Sequence, residues 1–404
     1  VSSSDEKTPA APMPLMGMAA LMRMLFAGTD LGPVGQALIN RAEADPNDAN
    51  ALMDMATVLE LNGNPQLAEG VQWQALQMQQ HFRLPAEHEG LRLLALMAPG
   101  EMMANTPLEF LVAGSDVTLE MLYLVPGQAI PTALPEQDLV FVAIGESDRN
   151  RVLLEAVPQV LAQTDRPVLN RAERIARLSR DGASALLQSV DGVAMPATVR
   201  LDRQSLLRVA RGECGVDELL ADGGFPLIIR PVGSHAGRRL TRLEDAAALA
   251  AYLEEDETER FFLSRFVDYR SADGLYRKYR VMFVDGRPFL AHMAISDHWM
   301  VHYLNAGMAE HPERREEEAR TMDGFDEGLA ARHGETLAAI ARRVELEYFG
   351  IDCAETPEGE LLIFEADSAL VVHDLDPPDL YPYKSAHMRR LFDAFRELLG
   401  RRAA

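Results

Sequence analysis

Three groups of residues carry the chemistry that is legible in this sequence. Pro226-Leu227-Ile228-Ile229-Arg230-Pro231 is the pattern of a buried strand that ends in a cation, and a loop of small residues, Val232-Gly233-Ser234-His235-Ala236-Gly237, follows at once. A strand that delivers one positive charge beside a glycine loop, whose N–H groups can close over oxyanions, is what a triphosphate needs. Alone, the same residues also describe a hairpin turn with a surface Arg. A second group adds charge: Lys278 to Phe289 reads as a strand, a tight turn and a returning strand. Lys278 and Arg280 fall on one face by the two-residue period. The third group is acidic. Gly350-Ile351-Asp352-Cys353 opens a hairpin that passes through Pro357-Glu358-Gly359 into Leu361 to Asp367. Glu365 and Asp367 share a strand face, with Asp352 on the partner strand. Three converging carboxylates are costly unless cations neutralise them, and Mg²⁺ is the hard, oxygen-preferring ion that accompanies nucleotide phosphates.

These residues need a scaffold, and the chain is long enough to supply one. Its 404 residues predict two or three domains, and 48% hydrophobic with 25% charged residues is the balance of a globular protein. The 62 acidic and 39 basic side chains leave a formal net charge of -23, which argues against a general nucleic-acid binder. It does not exclude a local basic pocket for a phosphate-bearing small molecule. Cys214 and Cys353 are too few and too far apart for a disulfide framework or a cysteine-rich zinc site, and a reducing cytoplasm is expected. The apolar run Met13 to Gly28 is about half a membrane span and is interrupted by Arg23, so it is expected to be an amphipathic helix packed on its neighbours. No membrane association is expected. Residues 1–12 are polar and contain Ser and Pro, and are expected to be disordered.

The coarse organisation is multidomain α+β. From Leu31 to about Pro99 apolar residues recur at helical spacing, with breaks at Asp45-Pro46-Asn47, at Asn62-Gly63-Asn64-Pro65 and near Pro85. Helical hairpins are predicted over 13–107. The segment from Ala49 resembles a tetratricopeptide repeat: Leu52, Met55, Ala56 and Leu59 fill packing positions, Gly63 the turn, and Ala68 and Ala75 the close contacts. About one and a half repeats are readable, fewer than a free-standing array needs, so this part should lean on the rest of the protein. It would serve as a structural cap or as a platform for a peptide or protein partner. Over 108–200, short β-rich runs at Leu108 to Ala113, Met121 to Val125 and Leu139 to Ile144, followed by an amphipathic helix from Arg149 to Leu161, predict an α/β domain with a mainly parallel sheet. Gly145-Glu146-Ser147-Asp148 looks like a ligand loop, but its carboxylates would repel phosphate. A further strand is predicted over Arg260 to Tyr269.

Taken together, these motifs resemble the ATP-grasp superfamily, in particular the glutathione synthetase and ribosomal-protein glutamyl ligase branch, with D-alanine D-alanine ligase. The resemblance covers roughly Leu108 to the C-terminus. It implies that Arg230 is the first phosphate-binding cation, Gly233, Ser234, His235 and Gly237 the phosphate loop, and Ser264, Arg265, Phe266 and Val267 the adenine-binding hinge. It further implies Arg280 as the strand arginine, Asn305 in the loop near the γ-phosphate, and Asp352, Glu365 and Asp367 as Mg²⁺ ligands. Residues 108–200 would be the pre-ATP-grasp domain and 201–404 the ATP-grasp domain, with a lid over about 201–264 and a core over about 265–404.

The implied cofactors are ATP and Mg²⁺, and the implied activity is carboxylate-amine ligation through an acyl phosphate, on small molecules or a peptide. Alternatives from other classes are a noncatalytic nucleotide-binding scaffold and a kinase that phosphorylates a hydroxyl. The sequence departs from the family in having Arg at 230, Asp at 367, Lys278 where an acid is common, and His292 where basic residues are expected. Two segments rich in polar aromatics, Ser296 to Tyr303 and His373 to Lys384, supply acceptor-binding or proton-transfer candidates: His302, Tyr303, His373 and Lys384. The mixed-charge run Glu310 to Arg320 reads as a solvated helix or mobile loop. Cys353 alternates away from Asp352 and reads as a buried structural thiol.

Overall fold

The computed structural model describes residues 13–234 and 237–404. The N-terminal segment 1–12 and two residues of the glycine loop, His235 and Ala236, lie outside them. Four helices come first: α1 (Met18–Phe26), α2 (Gly32–Ala44), α3 (Ala49–Leu61) and α4 (Pro65–Met78). Proline in the first turn starts α2 and α4, where its missing N–H costs nothing. Asp48 caps α3 by accepting the Ala51 N–H at 2.9 Å. Leu21, Leu31, Leu38, Ala51 and Val58 form a small cluster of their own, whereas Leu15, Met22, Met53 and Leu76 join the main core. The helical layer is therefore built onto the following sheet, as so short a helical array requires.

The helices end sooner than their spacing predicts. His81–Leu84 and Arg92–Met97 are strands β1 and β2, so the sheet begins well before residue 108. After Arg92 the run Leu93–Met97 is apolar and buried throughout, and an apolar run without a period fits a buried strand as well as a helix. Conversely, the stretch from Leu108, predicted as a strand, is a single helical turn, Leu108–Leu111. Strands β3 (Thr118–Tyr123), β4 (Leu139–Val142) and β5 (Val168–Leu169) complete a sheet of order β1-β3-β2-β4-β5, parallel except for β1. The helix Arg151–Leu161 follows β4, as expected for an α/β layer.

Strand β6 (Val193–Ala194) carries the chain into a four-stranded antiparallel sheet, β7-β10-β8-β9, made of β7 (Thr198–Asp202), β8 (Leu227–Pro231), β9 (Thr241–Leu243) and β10 (Arg260–Arg265). This unit has its own core, in which Leu206, Leu227, Ile229, Leu249, Phe261 and Leu263 are buried. The predicted ligand loop at residue 145 instead ties this unit to the first sheet. Asp148 pairs with Arg260 at 2.7 Å and with Arg200.

The third sheet, β12-β11-β13-β14-β6, comprises β11 (Tyr276–Val284), β12 (Arg287–Ser296), β13 (Tyr348–Glu355) and β14 (Leu361–Asp367), with β6 parallel at its edge. Asp285 and Gly286 both have positive φ, 51° and 80°, the conformation of the two-residue turn that matches strand twist. The charged helix Pro312–Asp323 is not wholly solvated: its Glu318 is fully buried. Among the described residues no helix is long and apolar enough to cross a membrane.

Candidate functional site

A cleft lies between the four-stranded sheet and the third sheet. Strand alternation decides which side chains reach it. On the third sheet, antiparallel register places His292, Arg280, Asp352 and Glu365 in one row across β12, β11, β13 and β14. Register shifts occur between Arg280 and Val281 and between Asp352 and Cys353, so both charged positions sit at bulges, devices that re-aim side chains. Cys353 is turned away and fully buried, and burial pushes its thiol pKa well up.

Asp352 is the best-held group of the row. Arg280 donates from Nε to Oδ1 at 2.8 Å and from a terminal nitrogen to Oδ2 at 2.9 Å. Lys278 donates from Nζ to Oδ2 at 2.8 Å. Burial alone would raise the Asp352 pKa, but the Arg280 and Lys278 charges outweigh it and hold the carboxyl well below its ordinary range. The neighbouring Glu365 is treated in the same way. Arg180, from the start of the helix Arg180–Leu187, approaches its carboxylate at 2.5 Å, and its pKa is lowered against the opposing effect of burial.

Arg230, the next-to-last residue of β8, lies on the opposite wall and is 8% exposed. Among the described residues its guanidinium hydrogen-bonds to Ser234 of the loop that follows, at the hydroxyl (3.2 Å) and the carbonyl. Burial and then the charge of Arg180 push its pKa down to about 9. An Arg keeps its proton, so the shift marks a buried cation that an anion would stabilise. Gly237 closes the loop over the cleft: a Cβ there would lie 2.9 Å from the Met300 sulfur, so no larger residue fits without movement. Ser264, Arg265, Phe266 and Val267 line the far end. There the Arg242 guanidinium lies 4.1 Å from the Phe266 ring centroid and Trp299 meets the same ring edge-on at 5.7 Å. One end of the cleft is thus aromatic, with Arg265 and Arg242 at its margin, and the cations Arg180, Arg230, Lys278 and Arg280 gather at the other.

The structure brings Arg230, Gly237, Ser264 to Val267, Lys278, Arg280, His302, Asp352 and Glu365 to the cleft. It does not bring the other predicted residues there. Gly233 and Ser234 lie just behind the lining, and His235 lies outside the described residues. Asn305 is exposed and its amide oxygen accepts the His302 N–H at 3.0 Å. Tyr303 and Lys384 belong to a buried network in which Lys384 Nζ meets the Tyr303 hydroxyl, Glu318 (3.3 Å) and Asp376 (3.2 Å). His373 packs near Phe26 and Phe110, against the N-terminal layers. Arg180 is the cleft residue that sequence reading missed. It sits alone in a helix-start segment, and no motif marks it.

A divalent cation is the cofactor that such a cleft implies, and the three predicted carboxylates do not fit one shared ion. Among the described residues no three His, Cys, Asp or Glu side chains are grouped so as to hold a metal. Both Asp352 oxygens already accept N–H groups from cations. Asp367 accepts the Ala369 N–H at 2.9 Å, and burial pushes its pKa up to about 6. The cost of crowded carboxylates, expected to fall to Mg²⁺, is met here by Lys278, Arg280 and Arg180. Glu365 is the one of the trio other than Asp352 that lines the cleft.

No family model matches the sequence. Solved structures that are similar in shape include a RimK-domain ATP-grasp protein from Sphaerobacter thermophilus, 17% identical over 75% of this chain and 99% of that one, with a TM-score of 0.42. Another is D-alanine–D-alanine ligase from Bacillus anthracis complexed with ATP, 15% identical over 78% of this chain and 98% of that one, TM-score 0.44. A third is the ATP-grasp ligase PsnB complexed with a variant of its minimal precursor, Mg and ADP, 14% identical over 77% and 100%, TM-score 0.41. These are distant likenesses of shape.

Proposed function

We propose that the cleft binds ATP and that the protein is an ATP-dependent carboxylate-amine ligase of ATP-grasp type. The observation that carries this is the charge of the lining. Arg180, Arg230, Lys278 and Arg280 gather with Asp352 and Glu365, and Arg265 adds a cation at the far end, five basic against two acidic side chains in the lining of a chain of net charge -23. Such a local excess of cations beside an aromatic slot suits a base at one end and a triphosphate at the other.

In this reading Arg230, Arg180 and Arg280 offset charge as the γ-phosphoryl group passes from ATP to a substrate carboxylate oxygen, giving ADP and an acyl phosphate. An amine then attacks the acyl carbon, the C–N bond forms and phosphate leaves. Activation is needed because a carboxylate is a poor acyl donor. The resemblance of α3 and α4 to a tetratricopeptide repeat supports a peptide or protein partner at the outer face of the helical layer, where Leu67 and Trp73 are exposed.

The clamp on Asp352 favours one competing reading, a noncatalytic nucleotide-binding protein. Retained carboxylates argue for catalysis only if their repulsion is unrelieved, and here it is relieved by cations. One set of measurements decides between them. Calorimetric titration with ATP, with and without Mg²⁺, should show binding that Glu365→Gln weakens in the presence of metal. Mixtures of carboxylates and amines should then release ADP and free phosphate. Binding without turnover on any pair favours the noncatalytic protein, ADP with a stable phosphorylated product points to a kinase, and no binding rejects the proposal.

A further inference from the structure

A second cavity, of about 50 Å³, lies between the helical layer and the first sheet and shares no lining residue with the cleft. Three acids line it, Asp54 and Glu60 from α3 and Glu109 from the helical turn Leu108–Leu111, together with Tyr123 at the end of β3. We propose that it binds a small primary alkylammonium ion of about the size of ethylammonium, with the ammonium among these oxygens and the alkyl chain against Met53, Leu119 and Met121.

The carboxylates converge and lack a counter-charge. Gly17 adjoins two of them: its N–H donates to Asp54 Oδ1 at 3.0 Å, and a Cβ added to it would lie 2.7 Å from Glu109 Oε2. The hydrogen-bond donors to the three acids are neutral, the backbone N–H groups of Met16, Gly17, Ala19 and Met102. Among the described residues none of the three acids forms an ion pair, and Arg41, whose charge reaches Asp54, is engaged with Asp48 at 2.9 Å. A buried anion without a cation is costly, so positive charge is favoured here.

An acidic cluster can also hold protons alone, and it is Tyr123 that points to a ligand. This side chain is 8% exposed and lines the cavity, yet among the described residues its hydroxyl has no hydrogen-bond partner. The charges of Glu109 and Glu60 both act on it. An ammonium group carries three donors and no acceptor, so it can serve the phenol oxygen and the remaining carboxylate lone pairs together while it supplies the missing charge. Water would supply no charge, and each methyl added to the nitrogen would remove a donor. The cavity exceeds the roughly 10–15 Å³ that one water needs, and its thioether and leucine walls suit a short alkyl chain.

The test is calorimetric titration of the full-length protein with ethylammonium chloride at pH 8, with tetramethylammonium chloride, potassium chloride and ethanol as controls for donors, charge and chain. One ethylammonium per chain is expected, at least about tenfold tighter than any control. Tyr123→Phe and Glu109→Gln should each weaken it by about tenfold or more, the loss of one charge-assisted hydrogen bond. Ethylammonium that does not bind, or binds no tighter than tetramethylammonium or ethanol, overturns the proposal. Potassium that binds as tightly makes this an inorganic cation site and overturns it too. Unchanged ethylammonium affinity in either folded variant puts the ion elsewhere and has the same consequence. If Glu109→Gln does not fold, Tyr123→Phe, which keeps the ring, decides.

Discussion

Arg280 and Asp352 face each other across two antiparallel strands, and the guanidinium forks onto the carboxylate at 2.8 and 2.9 Å. A third arm of Arg280 donates to the Val371 carbonyl at 2.9 Å, which ties the sheet to the segment after β14. The pair is therefore a structural joint as well as a wall of the cleft. Arg280→Ala should lower stability by about 3–5 kcal/mol, the cost of stranding a buried charge, with Lys278 keeping the loss towards the lower figure. Arg280→Lys should lose less but not recover the wild type, because an ammonium cannot fork. Urea unfolding measures both, and a loss near zero for Arg280→Ala would mean that Lys278 alone holds Asp352.

Arg230 is a buried cation whose hydrogen bonds, among the described residues, go to Ser234 of its own loop, and an incoming anion would relieve it. Arg230→Ala should weaken ATP binding by about 1.5–3 kcal/mol, roughly tenfold to a hundredfold, the range for a charge-assisted hydrogen bond. Calorimetry on the variant is the check. An unaltered nucleotide affinity removes Arg230 from the phosphate site.

Lys384 sits 3.3 Å from the fully buried Glu318, which also accepts the Tyr383 hydroxyl at 2.7 Å and the Met293 N–H at 3.0 Å. A lysine so placed acts on folding. Lys384→Met should cost about 3 kcal/mol by taking the cation away from buried Glu318, with no change in nucleotide affinity per folded molecule. A variant of wild-type stability with altered substrate KM would restore Lys384 to the substrate site.

The helical layer gives a prediction about pH. Asp54 accepts the Met16 and Gly17 N–H groups at 2.9 and 3.0 Å, and Glu109 accepts that of Ala19 at 2.9 Å. Burial, the largest influence on each, pushes Asp54 up to about 6 and Glu109 up to about 7. An acid whose pKa is raised by folding adds stability below its unfolded value and loses it as pH rises through its folded value. For Glu109 that window runs from its ordinary 4.5 to about 7. Glu109→Gln keeps an acceptor for Ala19 and removes the titration. The wild type should lose about 2 kcal/mol more than the variant between pH 5.5 and 8. Parallel stability curves for the two proteins would refute the buried acid.

The hairpins of the third sheet were readable because their signals are local. Alternation put Lys278 and Arg280 on one face, and Asp285-Gly286 marked the turn between β11 and β12. The boundary of the helical layer was not readable in the same way. Arg92–Met97 has no period to read, since a strand covered on both faces has no polar face to alternate with.

What the sequence determined by itself was the inventory: which charges sit on which strands, at which spacing, in a chain acidic enough for five basic residues in one cleft to matter. Tertiary structure decided the pairing. The same two-residue period that aims Lys278 and Arg280 outward says nothing about which strand lies next to them. Only the placement of β13 beside β11 turned three carboxylates expected to wait for metal into an Asp352 already clamped by two cations. Arg180 came from a distant part of the chain, through a helix start 185 residues from Glu365 in sequence. A cross-strand partner is set by long-range register and packing, and single-strand periodicity carries no information about it.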